Sequence, residues 1–143
     1  MYITDEIYKE IFENIPDSPP EMGGIFGGSE NIIKVVEFDK GLETQYKKLC
    51  CYIPDVEHLN TCIDVWAEKG IDFYGVFHTH FGNSKKLSEG DEIYIKKIVR
   101  AMPFGKDKLY FPIVVLPKKV IIAYLAVRKK DEIYILEENI RCV

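Results

Sequence analysis

The order of helical and apolar segments restricts the fold of this chain more than any other feature of its sequence. Three amphipathic helical patterns alternate irregularly with short apolar runs. Each pattern follows a residue suited to cap a helix N-terminus, at Thr4, Asp55 and Ser88. The patterns end at Pro16, Gly70 and Pro103. Helices and strands mixed without strict alternation predict an α/β or α+β domain, in which about three helices cover one β-sheet.

Short apolar runs bounded by glycine, proline or polar residues predict the strands. They cover residues 32–38, 46–53, 71–80, 109–116, 120–127 and 132–136. The glycine-rich segment 23–28 is expected to lead into the first of these strands. A tight connection through Pro117 and Lys118 joins the fourth and fifth strands. Pro112 cannot donate to a strand ladder, so a bulge or a sheet edge is expected there.

Length and composition favour one folded domain spanning residues 1–143. A chain of 143 residues can bury a core without disulfides. Apolar residues make up 47% and charged residues 29%, which is too apolar for a disordered chain. The cysteines at positions 50, 51, 62 and 142 include no Cys-x-x-Cys pair, so reduced structural thiols are expected.

The sequence disfavours nucleic acid and membrane partners. The net charge is -4 and the lysine pairs are scattered, whereas phosphate binding needs a concentrated cationic face. The longest apolar runs, residues 111–116 and 120–127, are far shorter than the ~20 residues of a membrane helix. The first 15 residues lack the apolar run of a secretory signal, so a cytoplasmic location is expected.

His78 and His80 stand near the end of the predicted strand 71–80. Side chains alternate along a strand, so both imidazoles project from one face and Thr79 projects from the other. Two imidazoles on one face lie within reach of a single metal ion. Taken alone, however, a His-x-His pair on a strand is weak evidence for metal binding, because ordinary packed or surface histidines are the more frequent interpretation.

Ser88 and Asp91 follow His80 after seven intervening residues. Their ordinary interpretation is a helix N-terminus with Ser88 as the cap. That motif normally has Glu or Gln in its last position, so Asp91 is expected to suit it less well. A carboxylate in the first turn of a helix is also a well-placed metal ligand. Two imidazoles and one carboxylate leave one position of a tetrahedral Zn²⁺ open to water, as in catalytic sites.

A catalytic zinc site also needs a base, for which Glu21 is the candidate. An unliganded carboxylate near the metal can take a proton from water and hand it to the leaving amine. The residues alone do not single out Glu21, because the usual interpretation of such a residue is an exposed loop acid. The third histidine, His58, falls within the second helix and is expected to be a solvent or boundary residue without a metal partner.

Two motifs together resemble the signature of the JAMM (MPN+) metalloproteases, which include the prokaryotic JAB-domain proteins. The motifs are Glu21-x-x-Gly24-Ile25-Phe26-x-Gly28 and, further along, His78-Thr79-His80, seven residues and Ser88-x-x-Asp91. They span residues 21–91, and the order of predicted elements across nearly the whole chain suits that fold. The resemblance implies a single mixed, partly barrel-like sheet flanked by about three helices, of the MPN/JAB, cytidine-deaminase-like type.

The resemblance also implies roles for five residues. His78, His80 and Asp91 match the ligands of one Zn²⁺ ion. Glu21 matches the acid that deprotonates the water, and Ser88 matches the serine that hydrogen-bonds the tetrahedral oxyanion. The implied activity is that of a zinc-dependent peptidase or isopeptidase. Family members cleave after the C-terminal glycine of ubiquitin or a related protein, so a ubiquitin-like or sulfur-carrier β-grasp protein is the expected substrate.

The chain departs from the family in two respects. Phe81 stands where many members have proline, which affects the expected path of the following loop. The chain is also too short to contain the insertions with which eukaryotic deubiquitinases grip ubiquitin.

Two other functions remain open. A non-catalytic MPN scaffold that binds partner proteins is the first, although such relatives usually lack zinc ligands. Hydrolysis of another amide, as in zinc deaminases, is the second, although many of those enzymes use a Cys-x-x-Cys pair that this chain lacks. The oligomeric state is not predicted by the sequence.

Overall fold

The computed structural model describes residues 1–42, 52–82 and 84–143. Within these residues the helices are α1 (Asp5–Asn14), α2 (Val56–Glu68) and α3 (Glu89–Ala101). The strands are β1 (Tyr2–Ile3), β2 (Gly23–Ser29), β3 (Ile32–Asp39), β4 (Asp72–Phe81), β5 (Lys108–Tyr110), β6 (Ile113–Leu116), β7 (Val120–Lys129), β8 (Glu132–Glu138) and β9 (Arg141–Cys142). All nine described strands belong to one mixed sheet, which confirms the predicted fold class.

The sheet combines parallel and antiparallel pairings. Its strands follow the order β5-β7-β6-β4-β2-β3-β1-β9, with β8 paired to β7 and an additional pairing between β4 and β5. Strands β5 and β6 lie end to end along the same edge of β4, and on their other side both pair antiparallel with β7. Strand β4 lies at the centre of the sheet, because it pairs antiparallel with β2 and parallel with β6.

The three helices begin where their capping residues predict. The side chains of Thr4, Asp55 and Ser88 each accept a hydrogen bond from a backbone N–H three residues further on. Such bonds satisfy amide groups that have no partner within the helix, which is why short polar side chains fix these boundaries. No helix among the described residues is long and apolar enough to cross a membrane.

Strand β2 was not expected from the sequence, because its four glycines have low strand propensity. The structure requires these small residues, since β2 pairs with β3 on one side and β4 on the other and has little space for side chains at the glycine positions. A Cβ atom added to Gly24 would lie 2.1 Å from the backbone oxygen of Glu37. At Gly23 it would lie 2.6 Å from the ring of Tyr52. The glycines therefore serve close packing inside the sheet and do not form a loop leading to it.

One further strand prediction was inaccurate, and another lies mostly outside the described residues. The segment predicted as a single strand at 109–116 forms two strands, β5 and β6, which are separated at Phe111 and Pro112. The absence of an N–H group at Pro112 accounts for this break. Most of the predicted strand 46–53 lies outside the described residues, and its last two residues, Tyr52 and Ile53, are irregular. Cys50 and Cys51 also lie outside the described residues, whereas Cys62 and Cys142 are free thiols.

The sheet separates two hydrophobic layers. On one face α1 packs through Ile7 and Ile11 against strand residues that include Phe26 and Phe77. The other face is covered by α2 and α3, whose contributing residues are Leu59, Trp66, Ile95 and Val99. Val76 belongs to this second layer. Because side chains alternate along β4, His78 and His80 project on the same face as Val76, toward the helices α2 and α3.

Arg128 on β7 fixes the C-terminal end of α3. Its guanidinium donates to the carbonyl oxygens of Val99 at 2.8 Å and Pro103 at 3.0 Å. It also pairs with Asp107, with the two charged groups 2.9 Å apart. Carbonyl groups at the end of a helix lack partners within the helix, so a cation with several donors stabilises them. This end of α3 is therefore anchored to the sheet, which helps to hold the opposite end beside the histidines.

Candidate metal centre

The two strand histidines meet at the C-terminal end of β4. Their Nε2 atoms lie 2.8 Å apart. Strand pairing fixes both residues, because His78 is opposite Gly23 on β2 and Ile113 on β6, while His80 is opposite Val115. His80 is buried and His78 is half-buried. The predicted common orientation of the two imidazoles is therefore observed, on a rigid part of the sheet.

Asp91 in the first turn of α3 completes the group. Its Oδ1 lies 3.3 Å from Nε2 of His78, and its Oδ2 lies 3.3 Å from Nε2 of His80. The ligand atoms of the three residues all lie within 4.8 Å of one another. Two imidazole nitrogens and one carboxylate oxygen that converge in this way could bind one metal ion.

The same carboxylate also caps α3, contrary to the expectation that Asp91 would suit a capping box less well. The backbone N–H of Ser88 donates to Oδ2 of Asp91 at 2.8 Å, and the N–H of Asp91 donates to Oγ of Ser88 at 3.0 Å. The short side chain reaches the cap because both residues lie on the same tight turn. The reciprocal bonds orient the carboxylate toward the histidines, so helix capping and possible metal ligation use one geometry.

A second contact orients His80. Its Nδ1 lies 3.3 Å from the carbonyl oxygen of Ser84 in the loop after β4. A carbonyl oxygen can only accept, so the Nδ1–H of His80 donates to it. Metal-binding histidines usually donate their second N–H to such an acceptor, which fixes the ring and directs the other nitrogen at the metal.

The mutual contacts shift the protonation of the group. Burial acts to raise the pKa of Asp91, but hydrogen bonds from His78 and His80 outweigh it and hold that pKa well below its usual range. Burial acts to lower the pKa of His80, but the hydrogen bond to Asp91 and the charges of Asp91 and Glu21 outweigh it and raise that pKa above 6.5. The carboxyl of Asp91 is thus ionised at any physiological pH, as metal ligation requires.

Glu21 is held near this group by a residue between the two histidines. Thr79 projects to the opposite face of β4 and is fully buried. Its hydroxyl accepts a hydrogen bond from the N–H of Met22 at 3.0 Å, and its own N–H donates to the Met22 carbonyl oxygen at 2.8 Å. Because Met22 directly follows Glu21, the strand that supplies the histidines also fixes the position of this acid.

Glu21 lies close enough to the group for the charges to interact. Burial raises the pKa of its carboxyl, and the charges of His80 and His78 partly offset the effect. A half-buried carboxyl with a raised pKa beside a candidate metal group is suited to accept a proton and to return it.

Glu21 lines two cavities. The first, of about 250 Å³, has a polar end formed by Glu21, His78 and Asp91. Its other walls are mainly aromatic or apolar and include Tyr52, Val76, Tyr94 and Phe111. The second, of about 730 Å³, extends from Glu21 along Pro19, Pro20, Met22 and Phe38. An extended molecule lying across both cavities would pass beside the carboxyl of Glu21.

The sequence does not predict which residues support the site from outside the ligand group. Buried Asp39 accepts hydrogen bonds from the Tyr52 hydroxyl at 2.6 Å and from the N–H of Asp55 at 3.0 Å. Tyr52 forms a wall of the first cavity and packs on Gly23, which is opposite His78. These contacts join residues that are distant in the sequence, so no local pattern predicts them. The alternation of side chains predicts the direction of Thr79 but not its partner Met22.

Metal binding by this group should weaken as the pH falls. A metal binds only the deprotonated imidazole, and the raised pKa of His80 means that protons compete at a higher pH than they would at an ordinary histidine. We expect the affinity to fall by about tenfold per pH unit for each proton displaced once the pH drops below that pKa. Metal-buffered titrations from about pH 8 to about pH 5.5 measure this dependence. A constant affinity across that range would exclude His80 as a ligand.

Comparison with known proteins adds structural relatives only. No family model matches the sequence, and no curated protein matches it. A solved protein from Desulfitobacterium hafniense has a TM-score of 0.63 and 18% identity, over 99% of this chain and 92% of that chain. A protein from Salinibacter ruber has a TM-score of 0.59 and 16% identity, over 100% of this chain and 92% of that chain.

A third solved structure has a fold description of its own. It is a JAB1/MPN domain protein from Archaeoglobus fulgidus, with a TM-score of 0.55 and 22% identity, over 100% of this chain and 99% of that chain. At such identities the similarity concerns the fold. The chain has the mixed α/β fold of a JAB1/MPN domain, and His78, His80 and Asp91 form a group in it that could bind a metal ion.

Proposed function

We propose that the chain is a zinc metallopeptidase of the compact prokaryotic JAMM type. Its substrate is a ubiquitin-like or sulfur-carrier β-grasp protein, or a conjugate of one. The reaction is hydrolysis of the peptide or isopeptide bond that follows the C-terminal glycine of that protein.

The observation that carries this proposal is the convergence of four side chains at one end of β4. His78, His80 and Asp91 bring their ligand atoms within 4.8 Å of one another. Glu21, whose pKa is raised, lines the same cavity without belonging to the ligand group. Three ligands with one unliganded acid are the parts that a hydrolytic metal site requires.

Zinc is the metal that fits this donor set best. Two imidazoles and one carboxylate form a common set of protein ligands in catalytic zinc sites. When bound, such an ion activates water as a nucleophile and polarises the carbonyl group of the scissile amide. The residues around the group support this chemistry, because Ser84 orients His80 and the capping box orients Asp91.

Glu21 acts as the proton carrier in this proposal. Its carboxylate accepts a proton from the attacking water and delivers that proton to the leaving amine, so the group ends each cycle as it began. Its raised pKa makes it a better proton acceptor than an ordinary glutamate. The backbone contacts between Met22 and Thr79 hold the carboxyl in place during both steps.

The cavities support an extended substrate with small residues near the scissile bond. Glu21 lines both cavities, so a substrate that occupied both would bring its backbone past this residue. A glycine tail has no side chains to keep its backbone away from the metal group. The aromatic wall formed by Tyr52, Tyr94 and Phe111 would then contact the residues beyond the tail.

The proposal is tested with two fusion substrates and one variant. The substrates join the C-terminal glycine of a β-grasp protein to a reporter, through a peptide bond in one and an isopeptide bond in the other. Zinc-loaded wild type should cleave at least one, while His78→Ala should cleave neither and should bind one equivalent of zinc fewer by elemental analysis. If wild type cleaves neither, or if the variant is as active as wild type, the proposed activity is wrong. Circular dichroism checks that the variant is folded.

Ser88 is proposed to stabilise the oxyanion of the tetrahedral intermediate. Its Oγ accepts the hydrogen bond from the N–H of Asp91, which leaves the hydroxyl proton free to donate. We expect Ser88→Ala to keep its metal and to lower turnover by about a hundredfold or more, as for other oxyanion donors. Steady-state kinetics and metal content, measured on the same sample, provide the two readouts.

A second substitution separates this role from helix capping. Ser88→Gly also removes the hydroxyl group, but glycine at an N-cap costs only a few tenths of a kcal/mol, against about 1 kcal/mol for alanine. The two variants should therefore lose turnover equally while differing in thermal stability. If turnover instead follows stability from one variant to the other, Ser88 is only a helix cap.

A further inference from the structure

A second group of possible metal ligands lies between β3 and α2. Nε2 of His58 is 3.3 Å from Oε1 of Glu37 and 3.8 Å from Sγ of Cys62. The ligand atoms of the three residues all lie within 4.8 Å of one another. His58 is exposed, as the sequence predicted. It was expected to have no other possible metal ligand beside it, whereas Glu37 and Cys62 both lie close to it.

The fold accounts for this convergence. His58 and Cys62 are four residues apart on α2, so their side chains lie on one face of the helix. Glu37 is opposite Ile25 in the sheet, and Ile25 belongs to the hydrophobic layer that also contains Leu59 of α2. The helix thus crosses the sheet with its His-Cys face beside the carboxylate of β3, and neighbouring packed side chains fix that arrangement.

The distances match the spacing of ligands around one tetrahedral ion. With metal–ligand bonds of about 2.0–2.3 Å, two ligand atoms of the same ion lie roughly 3.3–3.5 Å apart. The nitrogen–oxygen distance of 3.3 Å already has this value, and the nitrogen–sulfur distance of 3.8 Å exceeds it only slightly. The carboxylate oxygen and the sulfur also lie within 4.8 Å of each other.

An ion pair between His58 and Glu37 explains fewer of these contacts than a metal site does. His58 and Glu37 alone could form a surface ion pair, which contributes little to stability. That interpretation gives no role to the sulfur beside the imidazole. The exposure of His58 leaves a path for an ion and for a water molecule as fourth ligand.

We propose that Glu37, His58 and Cys62 form a second metal site, which takes a divalent ion of the zinc class with one thiolate, one imidazole and one carboxylate ligand. Thiolate and imidazole together select Zn²⁺ or Co²⁺ over Mg²⁺ or Ca²⁺, which prefer oxygen ligands. Binding releases the thiol proton to solvent. The site shares no ligand with the group at His78, and β3 and β4 are two strands apart, roughly 10 Å across the sheet.

The position of this site gives it a structural role. An ion there would cross-link β3 to the first two turns of α2. The N-cap of that helix, Asp55, donates its backbone N–H to Asp39, which also holds Tyr52 in the wall of the first cavity. Metal binding at the second site would therefore stiffen the segment that borders the first.

Cobalt absorption spectroscopy on the full chain tests the proposal. A Co²⁺ ion with a cysteine ligand gives an intense near-ultraviolet charge-transfer band, whereas the group of His78, His80 and Asp91 contains no sulfur. Wild type titrated with Co²⁺ should develop this band at about one equivalent per chain. Cys62→Ser and His58→Ala should abolish it. Cys142→Ser, which changes an exposed thiol elsewhere, should keep it, and so should His78→Ala.

The readout on wild type does not depend on the folding of any variant. If saturating Co²⁺ gives no charge-transfer band in wild type, Cys62 binds no metal and the proposal is wrong. It is equally wrong if Cys62→Ser keeps the full band, because another cysteine then supplies the sulfur. Neither result bears on hydrolysis, so the proposed peptidase activity is tested separately.

Discussion

Replacing Glu21 with glutamine should leave zinc bound at His78, His80 and Asp91 while turnover falls by on the order of 10²- to 10⁴-fold. Glutamine has the shape of glutamate but cannot accept and return a proton. Glu21 is outside the ligand group, so its charge is not needed to hold the ion. Single-turnover rates on the fusion substrate, together with zinc content, distinguish a lost proton carrier from a lost metal.

A matched control for Glu21→Gln is Glu89→Gln. Glu89 is an exposed acid in the first turn of α3, and it loses the same charge without lining either cavity at Glu21. Its variant should keep wild-type turnover. If Glu21→Gln also kept full turnover, Glu21 would have no part in proton transfer. If it lost its zinc as well, the carboxylate would have to be counted among the ligands.

Asp91→Ala should lose both the metal and the activity. It removes one of three ligands and leaves two imidazoles, whose Nε2 atoms are 2.8 Å apart, without the carboxylate that faces them both. It also removes one bond of the capping box, which costs about 1 kcal/mol of stability. We expect one equivalent of zinc fewer than in wild type and no detectable cleavage. Elemental analysis, cleavage assays and thermal unfolding measure the three effects.

Glu92→Ala is the control for Asp91→Ala. Glu92 is also in the first turn of α3, so its loss changes the interaction with the helix dipole in the same direction. It is not a member of the ligand group. The variant should keep zinc and turnover at wild-type levels. Equal zinc loss in both variants would mean that the charge of the helix terminus, and not ligation by Asp91, holds the ion.

Local chemistry made most of the fold predictable. Caps at Thr4, Asp55 and Ser88 fix the starts of the helices, because each short polar side chain satisfies a backbone amide of the first turn. Strand β2 could not be predicted in this way. Its glycines are required by contacts with β3 and β4, and such contacts between distant segments leave no periodic signal in the sequence.

The candidate site was predictable to different degrees. Strand alternation alone places His78 and His80 on one face, and the structure agrees. The approach of Asp91 depends on the loop after β4, and the position of Glu21 depends on the contacts between Met22 and Thr79. The helix start made Asp91 a candidate ligand, whereas only the resemblance to a motif identified Glu21, since the distances that bring both residues to the histidines are set by tertiary structure.

The double use of Asp91 links the ion to the local stability of a helix. The carboxylate that faces both histidines also accepts a hydrogen bond from the backbone N–H of Ser88. In return, the side chain of Ser88 accepts from the N–H of Asp91, and its carbonyl oxygen accepts from the N–H of Glu92. Coupling between two such equilibria is reciprocal, so a formed first turn strengthens metal binding by the same free energy with which metal strengthens that turn. Amide hydrogen exchange reports local opening. Metal loading should therefore slow amide exchange in the first turn of α3 far more than at its C-terminal end, where Arg128 binds. Exchange in this one turn would then report whether the metal site is occupied.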